Sequence, residues 1–161
     1  MEARLAPLYE IFKFNSRFFL NSLDGMDDDQ AGWRARDDSN SAAYIALHLL
    51  DSRHNLARRI GIEREHRLGD VAKEAKGKPN FTGLPALEEI RDEWKSVTGD
   101  VRARFAQLTT ADLNQAFETQ IPLEDRTILG YLGFAMMHEA YHVGQLSMVR
   151  KQVGLPAMAM R

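Results

Sequence analysis

The sequence predicts an all-α protein, an antiparallel four-helix bundle with one long crossover. Two observations carry that reading. Four stretches place apolar residues at three-to-four spacing, and no stretch between them alternates apolar and polar residues around hairpin turns. Helices of this length bury their apolar stripes most simply against one another. The 161 residues suit one ordinary domain, so 1–161 is read as a single helical-bundle unit.

In the first stretch Leu5, Leu8, Phe12, Phe19 and Leu23 mark one face of a helix over roughly residues 2–23. Gly25 is a suitable stop, ahead of the acidic turn Asp27-Asp28-Asp29. The second helix is expected from Ser41 to Ile60, with Ile45, Leu49, Leu56 and Ile60 on one side, Asn40 or Ser39 as N-cap and Gly61 as stop. In the third, Leu87, Ile90, Trp94, Val97, Val101 and Leu108 alternate by four and three, with Pro85 where a helix can begin. The fourth covers roughly residues 126–153, ending at Gly154 with Pro156 beyond. Residues 62–83 form a polar connection, and eight basic and four acidic residues lie between Arg53 and Lys78. A solvated crossover is the expectation there, with a binding surface as the alternative. Residues 109–125 hold a short helical turn after Thr109 or Thr110, then Pro122.

Apolar residues make up 44% and charged residues 27% of the chain, as in ordinary globular proteins. A net charge of -2 gives no general field to attract nucleic acid or an acidic membrane. With no cysteine, disulfides, iron–sulfur clusters and thiolate zinc sites are excluded, which leaves histidine and carboxylate as metal ligands. The opening MEARLAPLYE lacks a basic segment followed by an unbroken apolar core, and no window is long and apolar enough for a membrane span. A cytoplasmic protein is expected.

The chemistry concentrates in the fourth helix. At about 100° per residue, His138 and His142 lie about 40° apart and one turn along the axis, on the face shared by Tyr131, Phe134, Ala135, Gln145 and Val149. Both imidazoles should therefore point into the bundle. An unpaired buried polar group costs about 1–3 kcal/mol, so each needs a partner. A divalent ion satisfies both at once; hydrogen bonds to neighbouring side chains, in a metal-free bundle, are the competing account.

His138-Glu139-Ala140-Tyr141-His142 also matches the zinc-peptidase pattern H-E-x-x-H, in which Glu139 would be the general base. Such enzymes usually take a third ligand from downstream, but the tail after His142 holds no His, Asp or Glu. The third ligand is therefore sought upstream. His66 falls in the polar crossover, where a surface position is expected. His54 lies about 120° around the second helix from His48, so the two cannot serve one site. His48, between Leu47 and Leu49, is the candidate. Tyr44, Ser52 and Asn55 lie within about 40° of it and Asp51 within about 60°, which places His48 at the edge of the apolar stripe, facing a partly polar space. Three protein ligands and an open position are the pattern of catalytic zinc.

Trp33-Arg34, then Asn40 through His48-Leu49-Leu50-Asp51, then His138-Glu139-Ala140-Tyr141-His142-Val143-Gly144-Gln145-Leu146, with Arg150 and Gly154 after them, resemble the DinB/YfiT-like superfamily of metal-binding four-helix proteins over nearly the whole chain. The resemblance implies His48, His138 and His142 as metal ligands, a bundle with a long crossover, and often a homodimer. It also implies several activities. Some relatives are transferases or isomerases that use a low-molecular-weight thiol such as mycothiol or bacillithiol at the metal; others are associated with hydrolysis.

The resulting expectation is a metal-dependent enzyme acting on a small molecule, in which the ion lowers the pKa of a thiol or water. Tyr44, Asp51, Asn55 and Gln145 would line its pocket or orient its ligands. The alternative is a stress-related protein that binds metal or a small ligand without turnover. Zinc is the default ion, with nickel or iron as substitutes, and binding is expected to weaken as the histidines protonate near the ordinary imidazole pKa. No glycine-rich phosphate loop appears.

Overall fold

The structure, a computed structural model, describes residues 1–160. After a 3-10 turn at Ala3–Leu5, the chain forms α1 (Ala6–Leu23), α2 (Asp28–Gly32), α3 (Ala42–Arg59), α4 (Gly69–Ala75), α5 (Leu87–Phe105), α6 (Thr110–Leu113) and α7 (Ile128–Gln152). The four long helices are α1, α3, α5 and α7, close to the stretches the periodicity marks. Their ends follow local chemistry. Pro7 sits in the first turn of α1, so the residues before it form the tighter turn. The cap of α3 is Ser41, one or two residues later than Asn40 or Ser39, and its Oγ accepts from Tyr44 N at 3.2 Å. Gly61, at φ 84°, takes the left-handed conformation that ends α3.

Two short helices were not expected. The acidic turn is a capping box, in which Asp27 Oδ1 accepts from Gln30 N and Gln30 Oε1 accepts from Asp27 N, and it opens α2. Within the crossover, α4 buries Ala72 and Ala75, so the segment is not solvated throughout.

Helix direction is fixed by the contacts. Phe19 stacks on Trp94 and Phe12 on Phe105, so α1 and α5 run antiparallel. His48 lies beside His142 while Arg59 and Ile128 flank one surface cleft, so α3 and α7 are antiparallel too. Arg53 meets Thr98, and Arg104 meets the carbonyl of Ile60, so α3 and α5 run the same way. Asn15 reaches Met136, and Arg150 reaches Ser22, so α1 and α7 also run together. The order is up, down, down, up. The long connection from α3 to α5 carries the chain back along the bundle before α5 starts, and a short loop could not do so.

One charged residue crosses this interior. Arg53 is fully buried. Its Nε and Nη2 donate to the two carboxylate oxygens of Glu139 on α7, at 2.6 and 2.7 Å, and its Nη1 donates to Ser16 on α1 and Thr98 on α5. The guanidinium also lies over the rings of Trp94 and Phe12. A single side chain thus bonds to all three of the other long helices. Among the described residues, no helix is long and apolar enough to cross a membrane.

Candidate metal centre

The antiparallel pair α3/α7 sets His48 opposite the turn that carries His138 and His142. The i, i+4 spacing stacks the last two on one face, and all three rings meet edge to face, with centroids 4.5 to 5.1 Å apart. Their Nε2 atoms converge: His138 Nε2 is 3.2 Å from that of His48 and 3.2 Å from that of His142. Ring protons cannot satisfy this arrangement well, because one nitrogen faces two others of the same kind. Three nitrogens bound to one tetrahedral ion at about 2.1 Å would stand about 3.4 Å apart, so the observed spacing fits a divalent ion with little adjustment.

The surroundings disfavour charge on His48 and His138 and orient His142. Burial, reinforced by His142 and His48, pushes His138 down to about 4. Burial and His142 lower His48 as well, against the opposing charge of Asp51. His142 donates from Nδ1 to Gln145 Oε1 at 2.7 Å, which fixes its tautomer and leaves the Nε2 lone pair free for the convergence point. Phe134 stacks on His138, and Tyr141, itself exposed, meets His142 edge on.

These shifts change the expected acid behaviour. A free imidazole titrates near 6.5, whereas His138 in the fold resists protonation down to about 4. Between those values the unfolded chain binds more protons than the folded one, so stability of the metal-free protein falls as pH drops through this window. In the folded protein protons compete for His138 only as pH nears about 4, so an ion shared with that ring should be kept below the ordinary imidazole range. Metal retained after dialysis across pH 7 to 4 should accordingly show its midpoint below pH 6. A midpoint at 6.5 would mean that the fold does not protect the rings.

One side of the cluster opens on a cleft of about 290 Å³. His48 and His138 form part of its lining. Tyr44, Asp51 and Asn55 line it as well, while Gln145 lies outside it, against His142. Tyr44 Oη accepts from Gly77 N and so ties the end of the crossover to α3. Asn55 Nδ2 donates to Asp51, and Asn55 Oδ1 accepts from Arg58. His66, and secondarily the charges of His48 and Lys76, hold the Asp51 carboxyl below the usual range although burial opposes them. Phe117, Ile121 and Phe134 supply an apolar wall, and Arg59 and Lys76 bring positive charge to the lining. The wall from 114–127 was invisible to periodicity; a bridge between Ala116 and Thr127 shapes it.

Glu139 borders the cleft, but both its oxygens are engaged by Arg53. The H-E-x-x-H match therefore places its glutamate in a buried ion pair and not beside the three nitrogens.

The DinB superfamily model matches residues 12–146, most of the chain. This chain belongs to the DinB superfamily. The matched span takes in His48, His138 and His142, and Gln145 with them. No curated protein matches this DinB-superfamily chain. Among solved structures it is similar to YfiT from Bacillus subtilis, with a TM-score of 0.69, 18% identity, and coverage of 93% of this chain and 87% of that one. YfiT is described as a "probable metal-dependent hydrolase with an unusual four-helix bundle topology". At that identity the likeness speaks for the fold alone.

Proposed function

We propose that this protein is a metal-dependent enzyme of the hydrolase or thiol-transferase type, working at a divalent ion held by His48, His138 and His142. The carrying observation is the convergence of three imidazole nitrogens, two of their rings lining an open cleft. A sealed structural site would surround its ion with four protein donors. Here three donors meet and the remaining side faces the cleft, which leaves room for water or a small thiol. Zinc is the default occupant, with nickel or iron as substitutes, because imidazole suits all three.

When bound, the ion supplies Lewis acidity that lowers the pKa of a water or thiol in the cleft. The protein supplies the rest. Gln145 keeps the proton of His142 on Nδ1. Asp51, held ionised in the same cleft, is the group we assign to accept a proton from the incoming nucleophile. Phe117, Ile121 and Phe134 exclude water from one wall, and Arg59 and Lys76 favour a substrate carrying negative charge. The description of YfiT as a probable hydrolase supports the hydrolytic branch.

The test is a panel of ester- and amide-hydrolysis and thiol-transfer assays on metal-loaded protein, run beside His48→Ala. Activity that falls at least a hundredfold in the variant is the expected result. No activity that the substitution removes would leave a metal-binding protein without turnover.

A further inference from the structure

The crossover assembles a second group of donor side chains, separate from the three-histidine cluster. His54 comes from α3, Glu93 from α5, and His66 from the segment between α3 and α4; their donor atoms all lie within 4.8 Å of one another. His54 and Glu93 are buried and His66 half-buried.

Three observations set this cluster apart from an ordinary polar contact. His54 Nε2 stands 3.0 Å from Glu93 Oε1, yet makes no aligned hydrogen bond with it or with any other group. Both ring nitrogens of His66 also lack a hydrogen-bond partner. The two rings lie face to face, with centroids 3.8 Å apart and planes 5° from parallel. A short nitrogen–oxygen distance without alignment is what two donors show when both border a third atom. It is close to the 3.2 Å spacing of the first cluster.

The charge around the cluster favours a cation over an anion. Arg64 pairs with Glu93 and Asp100, Arg67 pairs with Glu93, and Asp51 lies against His66, while Arg58 and Glu63 line the same cleft, so four carboxylates stand near three arginines. Arg67 Nε donates to Glu93 Oε2 at 2.7 Å and Arg64 Nη2 reaches Oε1 at 3.3 Å, which leaves Oε1 the less engaged oxygen. Asp51 Oδ1 lies 3.6 Å from His66 Nε2. A carboxylate behind one imidazole nitrogen commonly directs the other nitrogen to a metal.

We propose that His54, His66 and Glu93 form a second divalent-cation site, of the zinc class, that fastens the crossover to α3 and α5. Parallel stacked rings aim their lone pairs side by side, so binding requires His66 to tilt out of the stack while His54 and Glu93 stay in place. The crossover continues into α4, whose Ala72 and Ala75, with Lys76, line the cleft of the first cluster. An ion at the second site therefore fixes one wall of that cleft. The proposal does not depend on the reaction assigned to the first cluster.

The experiment uses untagged full-length protein, stripped with a chelator and then equilibrated with zinc ion alone. Bound zinc per chain is measured for wild type, His66→Ala, Glu93→Gln and His138→Ala. Circular dichroism checks folding, and because His66 lies on a connecting segment its truncation spares the helical core. Two ions on the wild type are expected, with one remaining in His66→Ala and the other remaining in His138→Ala. Affinity for the second ion should fall at least tenfold in both His66→Ala and Glu93→Gln. Wild-type stoichiometry and affinity in His66→Ala would overturn the proposal, as would a wild type that binds only the ion lost with His138→Ala. An ion that survives His138→Ala but is lost in His66→Ala supports the second site even if the first cluster binds nothing.

Discussion

Replacing Glu139 with alanine should cost about 3–5 kcal/mol of folding stability, because it strands the buried Arg53 guanidinium without its counter-charge. Arg53 is fully buried and Glu139 nearly so, and water cannot take the place of the carboxylate without opening the bundle. Ser16 and Thr98 keep two hydrogen bonds to Nη1, so the loss falls on Nε and Nη2. Urea denaturation of Glu139→Ala beside wild type measures the difference. The double replacement Arg53→Met with Glu139→Leu should recover much of it, since apolar residues of similar volume often replace a buried ion pair at little cost. The experiment also separates two roles for the glutamate of H-E-x-x-H. A general base can be removed with the fold intact, whereas a partner of Arg53 cannot. A Glu139→Ala protein within 1 kcal/mol of wild type would show that the ion pair does not hold the bundle together.

Replacing His138 with alanine should have the opposite profile, weakening zinc binding at the first cluster by at least about a hundredfold while leaving the helices intact. His138 Nε2 is the nitrogen in contact with both of the others, so its removal leaves His48 and His142 with no common neighbour. Gln145→Ala is the graded comparison: it spares the donors and frees only the His142 ring, and a loss of about tenfold to a hundredfold is expected. Competition with a chromogenic chelator reads both affinities, and a thermal melt reads the fold. Equal zinc affinity in His138→Ala and wild type would show that these nitrogens converge for a reason other than metal.

The contrast between these two substitutions reflects what a sequence can reveal. The apolar periods of α1, α3, α5 and α7 were legible because each long helix must bury one stripe, and His138 and His142 share a face by the geometry of one turn. At about 100° per residue Glu139 points away from His138, but a wheel cannot show that Arg53 waits on α3. Partners such as Arg53 and Glu139 lie 86 residues apart, and only the packed bundle pairs them. His66 was expected at the surface because its neighbours are charged. The structure stacks it on His54 instead, since those neighbours are themselves consumed by Glu93 and Asp100. The antiparallel bundle with one long crossover was legible too, from the polar stretch at 62–83, although the stripes alone do not set each helix's direction. An amphipathic stripe says that a helix has an inside, not which way it runs past its neighbour. α2 could have been found from its capping box, Asp27 with Gln30, had the acidic run not been read as a turn.

His48 and His138 stand 90 residues apart in the chain and 3.2 Å apart in space. An ion between them would be a reversible staple in a chain that has no cysteine with which to make a permanent one. It can form only after α3 and α7 have found each other, late in assembly, when the contacts most distant in sequence close. Once formed it holds together two helices from different halves of the chain, and unfolding must then either release the ion or carry the loop with it. The lifetime of the folded state would then depend on how much free metal surrounds the protein.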